Sequence, residues 1–282
     1  MQVFIKQCRH GNFLLLRGDM ISQLVDVYGE WSETEIELFR AIVPRDGVCV
    51  EVGSNIGMHA VPLSRMCEDG HLYCYEPQRP IFYTLCGNLA LNNRLNVVAR
   101  QLGVGAISGR VTLQVSDYEQ DWNYGSFSLA HGFSTENKFE GMVRHDEVDV
   151  VSLDDDHLLA RHDRLDFLKI DAEGLDIDVL RGARGLIAKH HPDIFVEANT
   201  ADAARAILAE LGEEYRGYWF FNARARRDNY NRIKFMIPGA DFNIILRHVS
   251  RDQHILETAL ELINPGFDEP IQVPIYTNFT WG

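Results

Sequence analysis

Residues 48–57 read Val48-Cys49-Val50-Glu51-Val52-Gly53-Ser54-Asn55-Ile56-Gly57, an apolar run that leads into two glycines. The apolar run predicts a buried strand, and the glycines predict a tight turn before a helix. Because glycine has no Cβ, the backbone of the turn can approach a ligand closely, and the first N–H groups of the helix lack helical partners. The stretch therefore predicts a loop that binds an anionic or strongly polar part of a ligand.

Short apolar runs alternate with helical patterns after this loop. Strands are predicted at residues 72–75, 97–102, 167–170, 194–196 and 242–246, and helices at residues 58–66, 81–91, 177–186, 201–211 and 252–262. Such alternation is typical of βαβ units. The sequence therefore predicts an α/β, Rossmann-like fold with a parallel sheet.

The composition is that of a folded protein. Of 282 residues, 46% are hydrophobic and 24% are charged, which excludes a mostly disordered chain. The formal net charge of -14 would repel phosphate backbones and anionic lipids, so we expect neither nucleic acid nor a membrane as a partner. A basic cluster could contact an anionic substrate group or form a solvated face. It consists of Arg224, Arg226, Arg227, Arg232 and Lys234.

The targeting and cysteine signals are weak. No apolar segment has the form of a signal peptide or the length of a membrane span, and the five cysteines show neither C-x-x-C pairing nor zinc-ligand spacing. We therefore expect a cytoplasmic protein with reduced thiols.

An acidic residue, Glu76, directly follows the predicted strand at residues 72–75. A carboxylate at this place in the fold can accept both hydroxyls of an adenosine ribose. Gln101, near the end of the next strand, could reach the adenine or could be an ordinary strand-end residue.

The composition of the glycine loop distinguishes between adenosine cofactors. Asn55 occupies the position of the middle glycine in G-x-G-x-x-G, which disfavours a dinucleotide. Glu51 lies two positions before Gly53, where it could help accept the ammonium of S-adenosylmethionine. We therefore predict S-adenosylmethionine as the cofactor, and the alternative is a structural turn with a buried acid.

A set of motifs resembles the FkbM family of methyltransferases over about residues 20–247. The motifs are Glu51-Val52-Gly53-Ser54-Asn55-Ile56-Gly57, Tyr75-Glu76-Pro77, Asn88-Leu89-Ala90-Leu91-Asn92, Val151-Ser152-Leu153-Asp154 and Leu168-Lys169-Ile170-Asp171-Ala172-Glu173-Gly174. The resemblance implies a class I methyltransferase fold with a mostly parallel seven-stranded sheet and helices on both faces. It also implies O-methylation of a hydroxyl on a sugar, glycan or secondary metabolite.

The motifs and the loop chemistry together predict a set of cofactor-binding residues. These are Glu51, Gly53, Ser54, Asn55, Gly57, Glu76, Pro77 and Gln101. Two positions depart from the family's pattern. Glu51 stands where many members have Asp, and the shorter Asp176 stands where a Glu is often found, which puts a role at that point in doubt.

Methyl transfer to an alcohol oxygen needs alignment of the reacting atoms and a base or a metal ion beside the acceptor. Candidates for the base are Asp171, Glu173, Glu197 and His59, and for each a structural role is the alternative. If a metal is used, Asp171, Glu197 and Asn199 could bind Mg²⁺ through oxygen. Lys169 lies in an apolar strand, so we predict that it forms a structural ion pair with a carboxylate.

Three regions are predicted along the chain. They are an N-terminal segment packing on the core (1–45), a methyltransferase domain (46–247) with an inserted loop region (110–150), and a C-terminal helix and tail (248–282). Ser32-Glu33-Thr34-Glu35 predicts a helix start in the first region. In the insertion, residues 111–115 predict a strand, and the passage that includes Trp122, Asn123, Tyr124 and Ser126 could shape an acceptor pocket or pack as an ordinary loop.

The predicted partner is a small-molecule or carbohydrate hydroxyl acceptor, and the tail could join a second copy in a homo-oligomer. Two other functions stay open. A nicotinamide-dependent oxidoreductase would use the same architecture, and a non-catalytic S-adenosylmethionine-binding or scaffold protein would keep the fold without turnover.

Overall fold

A computed structural model describes residues 2–116, 118–119, 121–128, 132–133, 142–223, 226–235 and 240–263. Arg224 of the basic cluster and most of the C-terminal tail, including the oligomer contact predicted for it, lie outside these residues. No helix within the described ranges is both long and apolar enough to cross a membrane.

The described residues form fifteen strands and eight helices. The strands are β1 (Val3–Cys8), β2 (Gly11–Leu16), β3 (Val48–Val52), β4 (His71–Tyr75), β5 (Val97–Arg100), β6 (Gly103–Val104), β7 (Gly109–Ser116), β8 (Phe127–Ser128), β9 (Gly132–Phe133), β10 (Val143–Val151), β11 (Phe167–Ile170), β12 (Asp193–Glu197), β13 (Tyr215–Ala223), β14 (Ala240–His248) and β15 (Glu261–Leu262). The helices are α1 (Met20–Tyr28), α2 (Glu33–Ile42), α3 (Ala60–Met66), α4 (Arg79–Leu91), α5 (Asp176–Gly182), α6 (Arg184–His190), α7 (Ala201–Leu211) and α8 (His254–Glu257).

The central sheet has the strand order β15-β13-β14-β12-β11-β3-β4-β5. The five strands from β12 to β5 are parallel, whereas β14, β13 and β15 are antiparallel to their neighbours. The predicted Rossmann-like α/β fold is confirmed, with a mixed sheet to which β15 adds an eighth strand. The order of connection reverses between β3 and β11, and ligands bind at the carboxyl ends of parallel strands at such a reversal.

Helices cover both faces of this sheet. Because side chains alternate along each strand, every strand contributes side chains to both helix layers. Cys49 and Phe167 pack on the face covered by α2, α3 and α4, whereas Val50 packs on the face covered by α5, α6 and α7. The same alternation places Glu51 and Lys169, which are partners in the register of β3 and β11, on the face with α2 and α3. Two charged residues therefore enter an otherwise apolar layer.

Several predicted elements differ from the structure. The helix predicted for residues 252–262 is wrong beyond α8, since β15 follows and pairs with β13 at Tyr218 and Trp219. The strand β13 was not predicted, although its aromatic residues favour a strand. The helix predicted for residues 177–186 is divided at Ala183 into α5 and α6.

The inserted region contains more regular structure than a loop with one strand. The strands β6, β10 and β7 form a second sheet in that order, and the predicted strand at residues 111–115 lies within β7. The chain after β7 returns to the N-terminal segment, where Trp122 forms a β-bridge with Asp19 and accepts a hydrogen bond from the Met20 N–H at 3.0 Å.

A hairpin of β1 and β2 packs on α4, and a buried amide of α4, Asn88, makes three of the hydrogen bonds at this contact. Asn88 Nδ2 donates to the carbonyl oxygens of Leu14, at 3.1 Å, and Ile56, at 2.7 Å. Asn88 Oδ1 accepts from the Leu14 N–H at 2.6 Å. Asn88 therefore joins the hairpin, α4 and the glycine loop.

Candidate functional site

A cleft opens at the carboxyl ends of β3 and β11, where the strand order reverses. It holds about 650 Å³ of empty space, part of it open to solvent. Six of the predicted site residues line it, namely Gly53, Asn55, Glu76, Pro77, Asp171 and Glu173. The fold thus brings together loops that follow three different strands.

Seven predicted site residues lie outside the lining. They are Glu51, Ser54, Gly57, His59, Gln101, Glu197 and Asn199. The Gln101 side chain is exposed, and the next three residues, Leu102, Gly103 and Val104, contribute to the lining.

The glycine loop contacts the loop after β11 through the backbone. Gly53 has a φ of +76°, in the left-handed region that favours glycine, and a Cβ there would lie 1.9 Å from the carbonyl oxygen of Asp171. The Asp171 N–H donates to the Val52 carbonyl at 3.1 Å. A side chain at position 53 would therefore separate the two loops that form the cleft.

Glu76 is held in one orientation by backbone groups. Its Oε2 accepts from the Asn55 N–H at 3.0 Å, and its Oε1 accepts from the Gln78 N–H at 2.8 Å. The side chain is 5% exposed, and burial raises its pKa from 4.5 to about 7 although both hydrogen bonds oppose the shift. Each carboxylate oxygen keeps a lone pair that can accept a ligand hydroxyl.

A layer of buried charge lies on the α2 and α3 side of the sheet. Lys169 Nζ lies 3.2 Å from Asp171 Oδ2. Burial alone lowers the pKa of Lys169, but the carboxylates of Asp171, Glu51 and Glu35 outweigh it and raise the pKa. Lys169 thus has the carboxylate partner that the sequence predicts.

Glu51 belongs to this buried layer rather than to the cleft surface. Its backbone carbonyl accepts from Ser54 Oγ at 3.1 Å, and its Oε2 lies 3.6 Å from Cys74 Sγ. Burial raises the pKa of Glu51 to about 7, and the Lys169 ammonium opposes that shift. Glu51 therefore lies beneath the cleft, within the electrostatic influence of Lys169.

Glu35, at the start of α2, is a site residue that the sequence analysis missed. The Ser32 pattern resembles a capping box, yet Ser32 makes no capping hydrogen bond. Glu35 Oε1 instead accepts from the side-chain amides of Asn222, at 3.1 Å, and Asn243, at 3.2 Å. Burial raises the pKa of Glu35 to about 8, with the Lys169 ammonium opposing.

His59 is buried beside Glu35. Its Nε2 lies 3.2 Å from Glu35 Oε2 without hydrogen-bond alignment, and its ring packs edge-on against Phe39. Burial lowers the pKa of His59 well below 6.5, so the imidazole is neutral at neutral pH. His59 therefore packs in the buried layer against Glu35 and Phe39.

The loop after β11 is fixed by Asp176. Its Oδ1 accepts from the Ala172 N–H at 3.0 Å, and its Oδ2 accepts from the Gly174 N–H at 3.3 Å. Glu173, between them, has a left-handed backbone with φ 48° and lines the cleft. Asp176, where the family pattern left a role in doubt, stabilises this turn.

Glu197 ends β12 close to Asn199. Burial raises the pKa of Glu197 to about 8, repulsion from Asp171 adds to the shift, and a hydrogen bond with Asn199 opposes it. Among the residues that the structure describes, no group of three or more His, Cys, Asp or Glu is arranged to bind a metal ion. Binding of Mg²⁺ by Asp171, Glu197 and Asn199, which the sequence left open, is not supported.

Three further lining residues come from the N-terminal segment and the insertion. Ile21, Asn123 and Gly125, here termed the roof, line the cleft together with the residues above. A Cβ on Gly125 would lie 2.4 Å from Asn55 Nδ2, so the insertion contacts the glycine loop directly.

The model of one family, described as the methyltransferase FkbM domain, matches residues 51–220, more than half of the chain. The chain belongs to this family. Methyltransferase 1 of Beauveria bassiana is 29% identical over 152 residues, which cover 49% of this chain and 59% of that protein. Methyltransferase sdnD of Sordaria araneosa is 27% identical over 164 residues, which cover 50% of this chain and 62% of that protein. The chain thus aligns with less than two thirds of each relative.

Among solved structures, an FkbM methyltransferase from Methylobacillus flagellatus is 16% identical with a TM-score of 0.42, covering 74% of this chain and 50% of that one. The FkbM domain match contains the glycine loop, Glu76 and Asp171. Glu35 and Ile21 precede it, and Asn243 follows it. The cleft and its buried charges therefore extend beyond the matched domain.

Proposed function

We propose that this protein is an S-adenosylmethionine-dependent O-methyltransferase that acts on a hydroxyl group of a sugar, glycan or other metabolite. The observation that carries the proposal is the joint placement of Gly53, Glu76 and Asp171 on one cleft at the reversal of strand order. Membership in the FkbM family supports the reaction class.

The lining residues fit this cofactor. Glu76 presents two oxygens to the ribose hydroxyls, and Gly53 allows the backbone to approach the ligand. Asp171 and Glu173 place negative charge where a sulfonium would be stabilised and a pyrophosphate repelled, which disfavours a nicotinamide dinucleotide. When bound, S-adenosylmethionine supplies a methyl group on a positively charged sulfur.

Asp171 is the residue that we propose as the base. Its side chain is 45% exposed and lines the cleft, and Lys169 Nζ contacts its Oδ2 at 3.2 Å. With the cofactor and an acceptor bound, Asp171 would take up the hydroxyl proton while the acceptor oxygen receives the methyl group, and the sulfur would keep the electron pair of the broken bond. Glu173, which also lines the cleft, is the alternative base.

Calorimetry with S-adenosylhomocysteine tests the cofactor half of this proposal. We expect Glu76→Ala to weaken binding about 100-fold, because the ribose loses two charge-assisted hydrogen bonds. Glu147→Ala is the matched control, since Glu147 is an exposed acid on β10. Equal affinity in Glu76→Ala and wild type would remove Glu76 from the site.

A tritiated methyl-transfer screen against sugars, glycans and polyketide hydroxyls tests the reaction itself, with and without Mg²⁺ and a chelator. Transfer to at least one hydroxyl acceptor is expected. Binding of S-adenosylhomocysteine without transfer to any acceptor would favour the non-catalytic alternative. Stabilisation by NADH and not by S-adenosylhomocysteine would favour the oxidoreductase.

A further inference from the structure

Gln78 is buried between Glu76 and the inserted region. Its backbone N–H donates to Glu76 Oε1 at 2.8 Å. Its side chain is 4% exposed, and Nε2 donates to the Tyr124 carbonyl at 2.9 Å while Oε1 accepts from the Tyr118 hydroxyl at 2.9 Å. One residue thus binds the proposed ribose acid through its backbone and the inserted region through both ends of its amide.

The inserted region has a second anchor on the N-terminal segment. Asp19 Oδ1 accepts from the Tyr124 N–H at 3.2 Å, and Asp19 Oδ2 accepts from the Ser22 N–H at 2.8 Å at the start of α1. The Trp122 N–H donates to the Gly18 carbonyl at 2.8 Å. Tyr124 thus lies between Asn123 and Gly125, the two roof residues of the insertion.

The roof is also in contact with the glycine loop. A Cβ on Gly125 would overlap the side-chain amide of Asn55, and the backbone N–H of Asn55 donates a hydrogen bond to Glu76. Glu76 is therefore connected to the roof by two routes, through Gln78 and through Asn55. A ligand that binds Glu76 would therefore also restrict Gln78 and Asn55, the two residues that connect Glu76 to the roof.

We infer that Gln78 is a positioning residue that couples cofactor binding at Glu76 to the placement of the roof over the acceptor side of the cleft. The inference rests on the proposed function, because it takes the ligand of Glu76 to be S-adenosylmethionine. Coupling between two sites is reciprocal, so a correctly placed roof in turn strengthens cofactor binding.

Hydrogen–deuterium exchange with saturating S-adenosylhomocysteine tests the coupling. In the wild-type protein we expect exchange in the peptide that contains residues 121–126 to slow about tenfold, a change within the range of two hydrogen bonds. Gln78→Met keeps the length of the side chain and the backbone N–H but removes both amide hydrogen bonds. Because the coupling is reciprocal, it should bind S-adenosylhomocysteine more weakly, and at saturating ligand it should lose most of the slowing.

Two further variants separate coupling from general loss of structure. Tyr118→Phe removes one of the two hydrogen bonds and should give an intermediate effect, and adding it to Gln78→Met should change nothing more. Gln253→Met is the matched control, since Gln253 Oε1 accepts from the Tyr218 hydroxyl at 3.2 Å and Gln253 does not line the cleft. It should leave the slowing unchanged.

The outcomes are distinguishable. If wild-type protein binds S-adenosylhomocysteine and the peptide is not protected, or Gln78→Met is protected to the same extent as wild type, the coupling is absent and the proposed function stands. If wild-type protein shows no S-adenosylhomocysteine binding, the proposed function fails and the inference fails with it.

Discussion

The ion pair of Asp171 and Lys169 joins the cleft surface to the buried layer. Asp171→Asn keeps the shape of the side chain and removes the charge that would accept a proton. We expect turnover with the acceptor found by the screen to fall at least about 100-fold, the usual contribution of a general base. Affinity for S-adenosylhomocysteine should change little, because the backbone contact of Asp171 with Gly53 and Val52 remains.

The matched control for this substitution is Asp178→Asn. Asp178 lies on α5, is exposed, pairs with Arg181 at 3.3 Å and does not line the cleft. Wild-type turnover in Asp171→Asn would instead assign the base to Glu173. Weakened S-adenosylhomocysteine binding with normal turnover would give Asp171 a binding role.

At the residue scale, the sequence predicted the part of the site that a short motif contains. Gly53, Asn55, Glu76 and Asp171 follow strand ends, so their convergence on one cleft follows from the fold. Gln101 is a strand-end residue by the same logic, but its side chain points to solvent. Strand position alone does not specify the direction of a side chain beyond the last ladder residue.

Glu35 and Gln78 could not be identified because their partners are distant in sequence. Glu35 fits a capping box locally, but Asn222 and Asn243 bind it in the folded chain. Gln78 follows Glu76 closely, yet its side-chain partners Tyr118 and Tyr124 come from the insertion. Local patterns contain no information about such partners.

At the element scale, the N-terminal hairpin depends on Asn88 of α4. Asn88→Ala removes three buried hydrogen bonds and leaves the Leu14 N–H and the Ile56 carbonyl without their partner. We expect the free energy of unfolding to fall by about 2–4 kcal/mol. Hydrogen exchange in β1 and β2 should accelerate more than exchange in β12.

The control for this prediction is Asn96→Ala. Asn96 also binds two backbone carbonyls, of Ser64 and Cys67, but it has no contact with the hairpin among its hydrogen bonds. It should lower stability without a selective effect on β1 and β2. Equal acceleration in both variants would show that Asn88 has no special role in attaching the hairpin.

An element could be predicted where the local sequence determines it, and not where pairing with a distant strand does. The strands and helices of the parallel part of the sheet, β3, α3, β4, α4, β5, β11, β12 and α7, are encoded in apolar periodicity, and those elements were predicted. Residues 252–262 have helical spacing, but β15 gains hydrogen bonds from β13 that the local sequence cannot indicate. The long strand β10 was missed because it is mostly exposed and charged.

At the scale of the whole molecule, the described part of the site comes from the N-terminal segment, the matched domain and the residues that follow it. The matched FkbM domain contributes Glu76, Lys169 and Asp171, while Glu35 comes from before it and Asn243 from after it. The N-terminal segment therefore both supports the buried layer and, through Ile21, lines the cleft. Isolated residues 51–220 would lack these groups.

The buried carboxyls make the stability of the ligand-free molecule dependent on pH. Burial raises the pKa of Glu51 and Glu76 to about 7, and that of Glu35 and Glu197 to about 8, from an ordinary value of 4.5. The folded chain thus holds these protons more tightly than the unfolded chain. The stability that they contribute is full below pH 4.5 and is lost as the pH rises through 7 to 8.

Glu35 provides a test of this dependence. The Lys169 ammonium opposes the rise of its pKa, whereas Asp241, Asp171 and Glu197 reinforce it. Burial lowers the pKa of His59, and also those of His162, His190 and His248, so these histidines act in the opposite sense at the acid end of the range and little above about pH 7.5. The carboxyls dominate across the window from pH 6.5 to 8.5, and the melting temperature of the wild-type protein should fall across it by a few degrees.

Glu35→Gln replaces the buried acid with an amide of the same size that does not titrate. The melting temperature of the variant should fall less between pH 6.5 and 8.5 than that of the wild-type protein, because the Glu35 proton is no longer there to be released. Glu147→Gln, at an exposed position on β10, should keep the wild-type slope. Identical slopes in Glu35→Gln and wild type, measured by calorimetry without ligand, would show that Glu35 is ionised throughout this range.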